Sequence, residues 1–186
     1  MKVLHIDSSI QGEASASRVL TREIVGHLQA GQSGVAVTYR DLAARELPHL
    51  SQAVLAQQDA TALEEFLAAD VIVIGAPIYN FGVPSQLKAW IDRIAVAGKT
   101  FRYTASGPEG LVRGKKVTVA LTRGGVHDPA IGQEFGESYL RFVFRFLGIE
   151  DVNFVRAQGL AISPQQRGSA LEAALASIRL PVQQAA

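Results

Sequence analysis

Cysteine is absent from the 186 residues, which removes disulfides, thiolate metal sites and cysteine nucleophiles together. Charge of one sign is also missing: 18 Lys and Arg oppose 17 Asp and Glu, leaving +1. No basic run stands out, so nucleic acid is a poor partner. No apolar stretch reaches bilayer length, and "MKVLHIDSS", broken by His5 and Asp7, lacks the form of a signal peptide. A cytoplasmic protein that engages no membrane is therefore expected. Several motifs are lacking too: G-x-x-x-x-G-K-[ST], G-x-G-x-x-G and G-x-S-x-G do not occur, which excludes a Walker loop, the usual dinucleotide fingerprint and a nucleophile elbow. His5, His27 and His49 show no metal-ligand spacing, and no metal is expected.

What is present is the composition of a globular protein, 48% hydrophobic and 19% charged. With no internal repeat or linker, one domain is expected over residues 1–180, followed by a frayed tail at 181–186. Apolar runs alternate with helical patterns along the chain. "KVLHID" (2–7), "VAVTYRD" (35–41), "VIVIGAP" (71–77), "KKVTVALT" (115–122) and "VNFVRAQGL" (152–160) read as strands. The third is the most hydrophobic and should lie centrally, covered on both faces. Between and after them lie helical stripes. These are Leu20, Ile24, Leu28; Leu63, Phe66, Leu67; Leu87, Trp90, Ile91, Ile94; Phe135, Tyr139, Phe142, Val143, Phe146; and Leu171, Leu175, Ile178. Pro84 suits the first turn of the third helix, Gly148 the end of the fourth and Pro181 the stop of the last. "FRYTASGPEG" (101–110) is rich in turn residues and reads as a loop. Five strands alternating with five helices predict an α/β three-layer sandwich with a five-stranded parallel sheet. Right-handed crossovers favour the flavodoxin-like order 2-1-3-4-5.

That order places three loops around one crevice beyond the carboxyl ends of the strands. The first, "DSSIQGEASAS" (7–17), has four serines before Arg18. Hydroxyls and free N–H groups at a helix N-terminus suit an anion, although simple N-capping by Ser15 or Ser17 accounts for one of them. The second, within "GAPIYNFGVPSQLKAWID" (75–92), carries Tyr79, Asn80 and Phe81 between Pro77 and Pro84. It offers aromatic surface to a flat ligand, or else caps the core. The third, "TRGGVHD" (122–128), pairs glycines that can turn N–H groups toward a ligand, with His127 either a donor or merely exposed. None supplies a covalent mechanism, so chemistry falls to a cofactor. A flat ring, a phosphate held by hydroxyls and this strand order together indicate FMN.

These segments resemble the FMN-dependent NADH-azoreductases, also described as NADH:quinone oxidoreductases, of the flavodoxin-like superfamily. The resemblance is carried by "SSI" and "SAS", "APIYNFGVPSQLKAWID", "AGKTFRYTASGPEGLVRGKK" and "TRGG" with "VH", in order along nearly the whole chain. It implies that Ser9, Ser15, Ala16 and Ser17 hold the FMN phosphate. Pro77, Ile78, Tyr79, Asn80 and Phe81 would line the ribityl chain and ring, and Thr122, Arg123, Gly124 and Gly125 would meet the isoalloxazine. It also implies a homodimer with the active site at the interface. Phe81 and His127 would then lie near substrate, and Phe101 or Tyr103 would come from the partner chain. The implied reaction is ping-pong: NADH or NADPH gives up two electrons and leaves, and a quinone or azo compound takes them. Two departures stand out. The segment from Ala43 to Ala60 is shorter than the family's usual one, and Thr122 stands where serine is more common. The competing readings are a flavodoxin-type electron carrier, which such near-neutral charge disfavours, and a flavin reductase.

Overall fold

The computed structural model describes residues 1–56, 60–128, 130, 132, 133 and 135–178. Pro181 and the tail at 181–186 lie outside the described residues. Five strands form one parallel sheet: β1 (Lys2–Asp7), β2 (Ala36–Asp41), β3 (Val71–Pro77), β6 (Lys116–Thr122) and β7 (Asp151–Ala157), in the order β2-β1-β3-β6-β7. Two shorter strands, β4 (Phe101–Thr104) and β5 (Gly107–Gly110), pair antiparallel as a separate hairpin. This corrects the reading of "FRYTASGPEG" as a loop and renumbers the last two strands of the main sheet. The relative order of the five parallel strands is the expected one. Gly107 takes φ +118 at the turn, so the turn residues that argued for a loop serve a hairpin instead.

The helices are α1 (Ala16–Gly31), α2 (Gln52–Ala56), α3 (Thr61–Ala68), α4 (Ser85–Ile94), α5 (Gly136–Leu147) and α6 (Pro164–Ala176), with a 3-10 turn at Gly12–Ala14. α2 is additional to the five expected. Two cores separate along the strands because successive side chains alternate faces. Leu4, Ile6, Ile72, Ile74, Val117, Val119 and Leu121 pack with Phe66 of α3, Trp90 of α4 and Phe144 of α5. Val3, Val71, Val73, Ala120 and Val155 pack with Leu20, Ile24 and Leu28 of α1 and Ala174 of α6. All seven residues of β3 are buried, as a central strand with both faces covered requires. Burying each large aliphatic or aromatic side chain contributes about 1.5–3 kcal/mol.

Helix ends follow their caps. Ser15 caps α1, accepting from Arg18 N at 3.3 Å, and Ser163 caps α6, accepting from Gln166 N at 3.1 Å. Pro84 is the residue before α4 rather than within its first turn. Gly148 ends α5 at φ +100, a left-handed conformation open to glycine at little cost. Among the described residues, no helix is long and apolar enough to cross a membrane.

Candidate cofactor site at the carboxyl edge of the sheet

The parallel register brings the three loops together. Asp7 at the end of β1 lies opposite Gly75 of β3, and Pro77 at the end of β3 lies opposite Thr122 of β6. Each strand therefore delivers its loop to the same edge.

The first loop is tied down from beneath. Ser8 Oγ donates to Gly75 O at 2.6 Å, and Ser9 Oγ lies 3.2 Å from the Tyr79 hydroxyl, joining the first loop to the second. Ser15 Oγ and Ser17 Oγ are 3.0 Å apart. Ser8, Ser9, Ser15 and Ser17 are all buried. Each hydroxyl brings one proton and two lone pairs, so the Ser15–Ser17 pair keeps a proton to give after accepting from Arg18 N. Ala16 and Ser17 occupy the first turn of α1, where backbone N–H groups have no helical acceptor. Hydroxyls, N–H groups and the positive end of the α1 dipole gather here with no lysine among them. This donor set fits a phosphate ester.

The second loop is tight. Tyr79 and Gly82 exchange both backbone hydrogen bonds at 3.0 Å, and Ile78 N donates to Thr122 O at 2.8 Å. Between them Asn80 and Phe81 take φ +50 and +68, left-handed conformations that cost L side chains of order 1 kcal/mol or more each. The turn holds the Phe81 ring half-exposed and stacked on His127 of the third loop, centroids 5.3 Å apart and planes at 27°. Tyr79 and Phe81 are thus not core residues. One bonds the first loop and the other faces the third.

The third loop has its carbonyls taken. Arg123 O accepts from Leu160 N at 3.1 Å, Gly124 O from Ala161 N at 2.9 Å and Gly125 O from Gly159 N at 2.9 Å. In a trans peptide the next N–H points away from the carbonyl. Three consecutive N–H groups, those of Gly124, Gly125 and Val126, are therefore turned away from the 159–161 turn. A row of donors, two of them on glycines, fits the acceptor-rich edge of a flavin ring. Thr122 and Arg123 are buried; the Arg123 guanidinium reaches Gln158 Oε1 at 3.3 Å, and His127 N reaches the same oxygen at 3.4 Å.

The sequence reading named Ser9, Ser15, Ala16, Ser17, Pro77 to Phe81 and Thr122 to Gly125, and all fall on these three loops or on the strand and helix ends that flank them. Phe81 and His127, named for substrate, are in contact. Phe101 and Tyr103 are elsewhere, on the hairpin. Phe101 is buried in its own chain, its ring 4.6 Å from that of Phe146, whereas Tyr103 is 76% exposed. Only Tyr103 retains a ring to offer a partner.

Beneath the first loop lies a polar cluster that sequence reasoning missed. Arg18 makes a two-pronged pair with Asp41, at 2.7 and 2.9 Å, and also reaches the Tyr39 hydroxyl at 3.1 Å and Ser9 O at 3.0 Å. Asp7 accepts from Thr21 Oγ1 at 2.9 Å and from Tyr39 OH at 3.1 Å, with His5 Nε2 3.5 Å away. Burial pushes the Asp7 carboxyl up, but His5, Thr21 and Tyr39 outweigh it and hold the group below its ordinary value. Asp41 behaves likewise, burial opposing and the Arg18 pair and the N–H groups of Ala44 and Ala43 prevailing. Burial, then the Asp7 charge, pushes the Tyr39 phenol up to about 12.

The five-stranded parallel sheet, with three loops delivered to one edge, defines a flavodoxin-like α/β protein. The sequence matches the family described as flavodoxin-like fold over residues 1–180, and the chain belongs to the FMN-dependent NADH:quinone oxidoreductase branch of it. An FMN-dependent NADH:quinone oxidoreductase of Ralstonia nicotianae is 52% identical, covering 100% of this chain and 99% of that protein. One from Rhizobium meliloti is 53% identical over 92% of each. Among solved structures, an azoreductase from Bacillus anthracis is 28% identical with a TM-score of 0.84, covering 95% of both chains. An FMN-dependent NADH-azoreductase from the same species, in complex with FMN, is 27% identical with a TM-score of 0.83 over 94% of both.

Proposed function

We propose that this chain is an FMN-dependent oxidoreductase that passes two electrons from NADH to quinones and azo compounds. The observation that carries this reading is the row of three N–H groups at Gly124, Gly125 and Val126, turned away from the 159–161 turn at the same edge of the sheet to which β1 delivers the serine loop. When bound, FMN supplies the two-electron chemistry; the chain binds, orients and excludes water. Ser9, Ser15, Ala16 and Ser17 hold the phosphate with hydroxyls and the N–H groups of α1. Pro77 to Phe81 form a stiff wall along the ribityl chain and ring, and Thr122 to Gly125 meet the acceptor edge of the ring. Phe81 and His127 present a flat surface at the mouth, where donor and acceptor occupy the same place in turn. Shared occupancy is the basis for a ping-pong order, in which the oxidised nicotinamide leaves before the acceptor enters. A homodimer would bring the exposed Tyr103 of one chain toward the mouth of the other. The working unit is one cytoplasmic domain over residues 1–180.

The test is steady-state NADH oxidation by FMN-loaded protein with a quinone or an azo dye. Rapid oxidation that needs both FMN and acceptor, with parallel double-reciprocal lines, supports the reading. Intersecting lines refute the ping-pong order. FMN binding without NADH oxidation in any combination would move the electron-carrier reading ahead.

A further inference from the structure

Arg18 is a buried cation directly below the proposed phosphate loop, and its charge is already spent. Asp41 takes both prongs of the guanidinium, and Asp7 Oδ2 lies 4.0 Å away. Two carboxylates against one guanidinium leave this part of the cluster without positive charge to offer a phosphate. Attraction of the anion by Arg18 is therefore a poor account of why the residue is there.

Its remaining bond suggests another role. Arg18 Nη2 donates to Ser9 O at 3.0 Å, pulling that carbonyl down into the protein. The N–H of the same peptide unit, that of Ile10, shares the plane of that carbonyl and points the opposite way. Further along, Ala14 O is held from outside by Arg167 Nη2 at 2.6 Å. Two guanidinium groups thus grip the loop by its carbonyls. Asp41 fixes Arg18 in turn, and is itself fixed by the N–H groups of Ala43 and Ala44 at 3.0 and 3.1 Å.

We propose that Arg18, locked by Asp41, is a positioning residue that sets the phosphate-binding shape of the Ser9–Ser15 loop by holding the Ser9 carbonyl inward. The role is geometric. It needs a planar fork that serves Asp41 twice while sparing a third direction for Ser9, which a lysine ammonium cannot reproduce. The inference rests on the assignment of this loop to the FMN phosphate.

The test compares FMN with riboflavin, which has the same ring and no phosphate. Apoprotein of the full chain is titrated with each by quenching of flavin fluorescence, for wild type, Arg18→Lys and Asp41→Asn. Circular dichroism confirms that each variant is folded. Arg18→Lys should weaken FMN by about tenfold or more, the scale of a lost charge-assisted hydrogen bond, and leave riboflavin affinity within about twofold, inside the usual spread of such measurements. Asp41→Asn, which keeps the guanidinium but loosens its anchor, should move FMN in the same direction. It also serves as the test if Arg18→Lys does not fold. FMN affinity retained in Arg18→Lys, or FMN and riboflavin weakened equally, would overturn the positioning role. A wild-type protein that binds riboflavin as tightly as FMN would instead overturn the phosphate assignment, and this inference with it.

Discussion

Two glycine-to-alanine substitutions of identical chemistry should change stability in opposite directions. Gly75 lies in the central strand, opposite Asp7, where a Cβ would fall 2.7 Å from Asp7 Oδ1, 3.3 Å from Thr21 Cγ2 and 3.4 Å from Ser17 Oγ. Asp7 cannot simply swing aside, because Thr21 and Tyr39 both donate to it. Gly75→Ala therefore overpacks a fixed site and should cost about 2–3 kcal/mol. For a chain of this length that lowers Tm by about 4–12 °C. Gly26 lies on the exposed face of α1, and a Cβ there meets nothing within 4 Å. Gly26→Ala removes glycine from a helix interior and should stabilise by about 0.5–1 kcal/mol. Urea denaturation of the two apoproteins should thus separate them by about 3 kcal/mol. Equal midpoints, or a Gly75→Ala variant within about 0.5 kcal/mol of wild type, would refute the claim that Asp7 is rigidly held.

Three other expectations follow from the site and its supports. Asp7 and Asp41, held below the ordinary value of 3.8, contribute stability that is intact above that pH and is lost as pH falls below it. Tyr39 works in the other direction: its contribution is complete below pH 10.0 and is lost as pH rises through about 12. Urea midpoints measured across pH should show both arms, and Tyr39→Phe should flatten the alkaline one; an unchanged alkaline arm would discount the Tyr39–Asp7 bond. Phe81→Gly should leave stability level or raise it by about 1 kcal/mol, by relieving the left-handed φ of +68. Quinone turnover should fall because the ring stacked on His127 is gone, and a variant that turns over like wild type would remove Phe81 from the acceptor site. Tyr103→Ala deletes an exposed ring, so stability of the isolated chain should shift by less than about 0.5 kcal/mol. Acceptor KM should rise if the partner's hairpin reaches the mouth, and unchanged kinetics would exclude that arrangement.

The five parallel strands were legible because apolar runs and their turn residues are local signals. β1 and β3 match the expected spans at both ends, and β7 begins one residue before its expected start and stops three short. Stopping at Ala157 frees Gly159 to Ala161 to take the carbonyls of the third loop, a task no short motif announces. The hairpin was hidden because its strands are only four residues long and the second contains Gly107, Pro108 and Gly110, residues that argue against a strand anywhere but at an edge. The resemblance offered Phe101 or Tyr103 to a partner because two aromatics in "FRYT" give no sign of which faces inward; Phe101 packs on Phe146 and is buried, and Tyr103 is exposed. The Arg18–Asp41 pair joins residues 23 positions apart, from α1 to the end of β2, so it becomes visible only once the helix is packed on the assembled sheet. The loops proposed to face a ligand could be read from composition, whereas the groups that hold those loops in shape could not.

The central claim is tested most directly by following bound FMN through two separate additions without oxygen. NADH alone should bleach the yellow absorbance of the FMN-loaded protein, and one equivalent of a quinone added afterwards should restore it. Absorbance that stays yellow after NADH, or that bleaches and does not return with quinone, would contradict the account.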